Sequence, residues 1–122
     1  MPIVVRLDPQ RFLPLTPAMF QVLVALADGE KHGYAILKDV ARHSEGKLRL
    51  RAGTLYAVLK RFVEDGLIEE SPERPDPALD DERRRYYRLT ERGRAVAVAE
   101  AERLAQALDH ARARLAIRLR RA

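Results

Sequence analysis

Gly53-Thr54-Leu55-Tyr56-Ala57-Val58-Leu59-Lys60-Arg61-Phe62-Val63-Glu64 carries two chemically opposed faces at helical spacing. At about 100° per residue, Leu55, Val58, Leu59, Phe62 and Val63 gather on one side, which is expected to be core. Thr54, Ala57, Lys60, Arg61 and Glu64 fall opposite and form a polar, mostly basic surface. Ala57 lies near the middle of that surface, where a small side chain lets a helix approach a nucleic-acid groove and touch a thymine methyl group. The helix is expected to stop at Asp65-Gly66, because glycine takes the left-handed conformation that ends a helix without a Cβ penalty. A strand over Leu67 to Glu70 and a second over Arg85-Tyr86-Tyr87-Arg88-Leu89 then flank a polar loop holding Pro72, Pro75 and Pro77. The stretch as a whole predicts a recognition helix followed by a hairpin wing. Arg83, Arg84 and Arg85 put positive charge at the base of that loop, where a wing would meet a phosphate backbone. The same three side chains would also balance Asp80-Asp81-Glu82 in a solvated loop.

Upstream, Thr16-Pro17 marks a helix start: the hydroxyl caps free N–H groups, and proline takes a first position where its missing donor costs nothing. This first helix is expected to run to Ala27, with Phe20, Leu23, Val24 and Ala27 inward. Met19, Val22 and Leu26 are left as a second apolar surface that hints at a partner chain, and Gly29 follows as terminator. A second helix over Tyr34 to Arg42 turns Ile36, Leu37 and Val40 inward and Lys38, Asp39 and Arg42 outward. The connection His43 to Arg51 is longer than the tight turn of the simplest helix-turn-helix. In it Lys47, Arg49 and Arg51 alternate with Leu48 and Leu50, so the leucines tuck inward while the basic side chains project beside the recognition helix. Arg51 and Thr54 are the strongest candidates for DNA contact. Tyr34, Lys38 and Tyr56 are further candidates, the tyrosines through phenolic hydroxyls to phosphate or, equally, as half-buried packing residues.

Downstream, Thr90-Glu91 opens a helix that can continue to about Leu119. Its roughly 29 residues, at 1.5 Å each, give about 43 Å, longer than a small winged domain is wide. Ala97, Ala101, Leu104, Leu108, Ala111 and Leu115 recur at spacings of four and three, the heptad pattern of a helix-to-helix seam. A symmetric homodimer would bury this stripe.

The ordered set His32-Gly33-Tyr34, Gly53-Thr54-Leu55-Tyr56, Gly66-Leu67-Ile68, Arg83 to Thr90 and Gly93-Arg94 resembles the PadR family of bacterial transcriptional regulators. The resemblance covers about Leu15 to Glu100, and the single helix that follows is similar to the short branch of that family. It implies a winged helix-turn-helix, a homodimer, repression of a promoter, and release from DNA by a small, often aromatic effector. It also implies a central cavity framed by the first and last helices, which Phe20, Val24, Ala97 and Leu104 would line. Those side chains also suit a dimer core, the usual role of an apolar stripe at helical spacing. The chain has no Trp, so any stacking platform of the kind found in relatives would need a Phe or Tyr.

Composition sets the remaining bounds. The 122 residues, 47% hydrophobic, suffice for one small domain with an appendage. The expected fold is mainly α with a small β-hairpin: an N-terminal arm over residues 1–14, a winged helix-turn-helix over 15–90 and a C-terminal dimerisation helix over 91–122. A formal charge of +5 favours an anionic partner. With no cysteine there is no disulfide, no thiolate nucleophile and no zinc finger. His32, His43 and His110 lack metal-ligand or catalytic spacing, and neither an enzyme, a cofactor nor a metal is expected. No run approaches the ~20 apolar residues of a membrane span, and Met1 to Leu7 lacks a signal core, so the expected location is the cytoplasm. The main expectation is double-stranded DNA bound by a homodimer at an inverted repeat. The alternative is a winged module that docks proteins or RNA without duplex specificity.

Overall fold

A computed structural model describes residues 8–71 and 85–115 of the chain. A 3-10 turn at Pro9–Phe12 precedes α1 (Pro17–Ala25), β1 (Lys31–His32), α2 (Gly33–His43), α3 (Ala52–Glu64), β2 (Ile68–Glu70), β3 (Tyr86–Leu89) and α4 (Glu91–Leu115). The strands form one antiparallel sheet in the order β1-β3-β2. Ile68 pairs with Leu89, Glu69 with Arg88 and Glu70 with Tyr87, while Lys31 and His32 pair with Tyr87 and Tyr86. The fold is a winged helix with one long C-terminal helix, as the residue pattern predicts. The two-residue β1 is an addition to the expected hairpin.

Helix α1 begins as its sequence dictates, with Thr16 Oγ1 accepting from Met19 N–H at 3.1 Å and Pro17 at the first position. It ends at Ala25 rather than Ala27, and Lys31 Nζ donates to the Ala25 carbonyl while Arg94 Nη2 donates to that of Ala27 at 3.0 Å. Cations at the carbonyl end of a helix are favourable, and here they tie α1 to β1 and α4. The inward face also differs from the expected one. Val22, Leu23, Ala25 and Leu26 are buried, Val24 is 42% exposed and Ala27 faces solvent. Val22 and Leu26, expected on a second apolar surface, therefore lie within the chain's own core.

In α2, Ile36 and Val40 are buried and Leu37 is half-buried, as expected. Asp39 is not outward: it is 7% exposed, ion-paired with Arg42, and 3.3 Å from His43 Nε2. Partners three and four residues ahead on the same helix make burial of this carboxylate tolerable. Glu45 and Gly46, both at positive φ, turn the chain after α2, and Ser44 Oγ accepts from Leu48 N–H at 2.9 Å to close that turn.

Leu55, Leu59 and Phe62 of α3 belong to the same buried core as Val22, Leu23, Ile36 and Val40. Burying each such side chain contributes roughly 1.5–3 kcal/mol. Val58 is half-buried, but Val63 is 42% exposed rather than core. The helix ends in a Schellman motif, with Leu67 N–H to Phe62 O at 2.9 Å, Gly66 N–H to Val63 O at 3.1 Å, and Gly66 at φ +75°. Thr90 then joins three elements: its hydroxyl accepts from Gly93 N–H at 3.0 Å to cap α4 and lies 2.7 Å from the carbonyl of Gly66. Gly93 permits the docking of α4 on the strand, because a Cβ there would stand 1.9 Å from the Leu67 carbonyl oxygen. Only Gly93, Val96 and Glu100 of the described helix are buried.

Candidate nucleic-acid interface

The outer face of α3 is open. Thr54, Ala57, Lys60, Arg61 and Glu64 are all exposed on the side opposite Leu55, Leu59 and Phe62. Toward its C-terminal end charge is partly balanced, with Arg61 Nε 3.8 Å from Asp65. Lys47, Arg49 and Arg51 are exposed, whereas Leu48 and Leu50 pack against the core, so the alternation places three cations just ahead of α3. Arg51 is the N-cap residue of α3 and makes no side-chain cap bond. Helices α1, α2 and α4 are capped by Thr16, His32 and Thr90 respectively. The first amides of α3 thus keep their partial positive charge available to an anion.

Helix α2 supports this face from one side. Tyr34 is 55% exposed, and Lys38 Nζ stands 4.6 Å above its ring centroid. Tyr56, by contrast, is half-buried and leans on Gly33, whose added Cβ would lie 2.9 Å from the phenolic oxygen. His32 joins the two halves of the motif: Nδ1 accepts from Ala35 N–H at 3.1 Å, and its ring meets Tyr86 of β3 edge-on at 5.4 Å. Neither the His32 role nor the open position of Gly53, where a Cβ would meet nothing within 4 Å, is expected from the residue pattern. The only hint of the first is His32-Gly33-Tyr34 at a helix start.

The wing base is nearly neutral where described. Arg88 bonds Glu69 at 2.7 Å, and Arg85 lies 3.6 Å from Glu70 across the hairpin. Arg83, Arg84 and the acidic run Asp80 to Glu82 lie outside the described residues.

The seam residues sort along α4. Ala97 is half-buried against the core and Ala111 is half-buried, while Ala101, Leu104, Leu108 and Leu115 are exposed. The four cavity candidates are dispersed. Phe20 and Ala97 pack on the core, Val24 borders a hollow between α1 and α2 with Asp28, Asp39 and His43, and Leu104 stands beyond the domain. Among the described residues no helix is long and apolar enough to cross a membrane, and no group of three or more His, Cys, Asp or Glu is placed to hold a metal.

Comparison with known proteins agrees with this geometry. Residues 22–99 match the family model described as the transcriptional regulator PadR-like family. The chain is 38% identical over 74 residues to the transcriptional regulator Rv3488 of Mycobacterium tuberculosis, covering 61% of this chain and 63% of that protein. It thus spans just under two thirds of the length of the curated relatives it matches. A PadR family transcription regulator from Clostridium difficile shares the fold at a TM-score of 0.66 and 22% identity, over 82% of this chain and 99% of that one. BpsR of Bordetella bronchiseptica, described for the regulation of its DNA binding by 6-hydroxynicotinic acid, is 31% identical at a TM-score of 0.55, over 81% and 66% of the respective chains. A family of transcriptional regulators agrees with the expectation that the chain is not an enzyme. With nearly two thirds of its length matched, the chain belongs to the PadR-like family of transcriptional regulators.

Proposed function

We propose that the chain is a sequence-specific DNA-binding repressor that acts in the cytoplasm as a homodimer. The observation that carries this reading is the two-sidedness of α3: Leu55, Leu59 and Phe62 are fully buried, and the opposite face is open, uncapped at its start and preceded by Lys47, Arg49 and Arg51. Arg51 and the first α3 amides meet phosphate, Thr54 and Ala57 approach base edges, and Lys60 follows the backbone. Tyr34 and Lys38 reach phosphate from α2. Arg83 and Arg84 act from the wing, and Arg85 reaches it only by leaving Glu70. The exposed stripe Ala101, Leu104, Leu108 and Leu115 supports pairing of two copies through α4, with Ala97 and Ala111 completing the seam. Two copies about a two-fold axis would read an inverted repeat with half-sites about one helical turn apart. By analogy with BpsR, a small aromatic acid is the effector class to try first, with Phe20, Val24, Ala97 and Leu104 brought together only in the dimer.

The test is footprinting on genomic DNA of the source, the chain's own promoter included. The expected result is paired protected half-sites about 10 base pairs apart, still preferred over bulk DNA at about 150 mM salt. Binding without preference that vanishes at that salt would transfer the reading to an electrostatic module for RNA or acidic proteins.

A further inference from the structure

Gly93, Val96 and Glu100 mark the face by which α4 sits on the winged domain, at spacings of three and four. The third position of such a stripe would normally be apolar. Here it is a carboxylate at 1% exposure, and every residue from 101 to 110 is exposed. Glu100 is thus the last anchored residue before the helix leaves the domain. Its Oε2 accepts from Leu15 N–H at 2.9 Å, a bond spanning 85 positions to the residue just before the α1 N-cap. Arg103 grips the same carboxylate, with Nη2 at 3.1 Å from Oε2 and Nε on Oε1. An apolar residue would bury area without direction. A buried carboxylate costs desolvation, and what it adds is fixed geometry through bonds to two partners.

The lever beyond this point is long. Residues 101–115 extend about 22 Å at 1.5 Å each, so a swing of about 10° at Glu100 moves the far end by about 4 Å. That exceeds the rise of about 3.4 Å between neighbouring nucleotides on one strand. We propose that Glu100 is a positioning residue: by pinning α4 to the entrance of α1, it sets the angle at which the pairing half of the helix leaves the domain, and with it the separation of the two recognition surfaces. The inference rests on the dimer reading given under Proposed function.

The chain has no cysteine, so Glu30→Cys, at an exposed position between α1 and β1, gives one nitroxide site per copy. Inter-subunit distances are measured on the otherwise native chain and with Glu100→Met or Glu100→Gln, each checked for dimer content by sedimentation. Methionine fills the volume without accepting a hydrogen bond; glutamine keeps the acceptor for Leu15. A narrow distribution in the native background, shifted or broadened by at least about 4 Å in the dimeric methionine variant and restored by glutamine, supports the assignment. Broadening in both variants also supports it, through the charge that Arg103 holds. An unchanged narrow distribution in the methionine variant overturns it, leaving the dimer intact. No inter-subunit signal in the native background removes the dimer itself, and the role of Glu100 with it.

Discussion

A Cβ on Gly33 would stand 2.9 Å from Tyr56 Oη and 3.1 Å from the ring carbon Cε1. The first turn of α2 and the second turn of α3 therefore touch through a glycine and the edge of a tyrosine, a close approach between the two helices of the helix-turn-helix. Glycine in a helix ordinarily lowers stability by about 0.5–1 kcal/mol relative to alanine. Gly33→Ala should nevertheless lower Tm, because Tyr56 must shift. The penalty should shrink by at least about 1 kcal/mol in a Tyr56→Leu background, the sign of direct coupling. A rise in Tm for Gly33→Ala alone would remove the contact from any role in setting the motif.

Gly53 is the counter-case. A side chain there meets nothing within 4 Å among the described residues, so none of them calls for glycine in the first turn of α3. Gly53→Ala should raise stability by about 0.5 kcal/mol through helix propensity. If the helix backbone approaches DNA at this point, the same change should weaken operator binding by about tenfold, or 1.4 kcal/mol. Gains in both stability and affinity would place the closest approach elsewhere on α3.

Helix α3 is legible from its residues because its apolar and polar positions separate cleanly at helical spacing, and because glycine is the residue type best suited to the φ of +75° that Gly66 takes after Asp65. The Thr16-Pro17 start and the alternation from Lys47 to Arg51 are legible for similarly local reasons. Helix α1 is not. Met19, Phe20, Val22, Leu23, Val24, Ala25 and Leu26 surround its axis with apolar groups, so periodicity selects no face, and contacts with α2 and α4 decide which residues are buried. Strand β1 has two residues, too few to alternate, and exists because Tyr86 and Tyr87 offer an edge. Burial of Asp39 depends on where Arg42 and His43 place their tips, which composition does not reveal. The candidate residues Lys47, Arg49, Arg51, Thr54, Ala57 and Lys60 are exposed, as the alternation and the helical spacing predict; Arg85, facing Glu70, stands in a more neutral setting than a run of three arginines suggests.

Acid should expose the α4 anchor. The Arg103 guanidinium, and after it the Leu15 amide, hold the Glu100 carboxyl below its ordinary value of 4.5. A group whose folded pKa is depressed contributes stability above its unfolded pKa and loses it as pH falls through the folded one. Unfolding followed by denaturant should therefore show stability declining below about pH 4.5, with a shallower decline in Glu100→Gln. Asp28, held down mainly by its bond to Lys31, contributes with the same sign. Identical acid limbs for the two proteins would show that the ionised Glu100 adds nothing to folding.

The exposed half of α4 gives the last test. Leu104 and Leu108 are each 41% exposed in the single chain, and neither belongs to the buried core. Replacing both with Asp removes apolar area that a second copy would cover and sets like charges across the seam, a cost of several kcal/mol to association. The monomer's own fold should survive, with a helical spectrum unchanged and a Tm that no longer depends on concentration. Sedimentation should then report a monomer, and operator affinity should fall by at least about a hundredfold, because one half-site alone remains bound. A double variant that stays dimeric would place the interface elsewhere, most directly on the apolar residues left open on α1 and α3, Val24 and Val63.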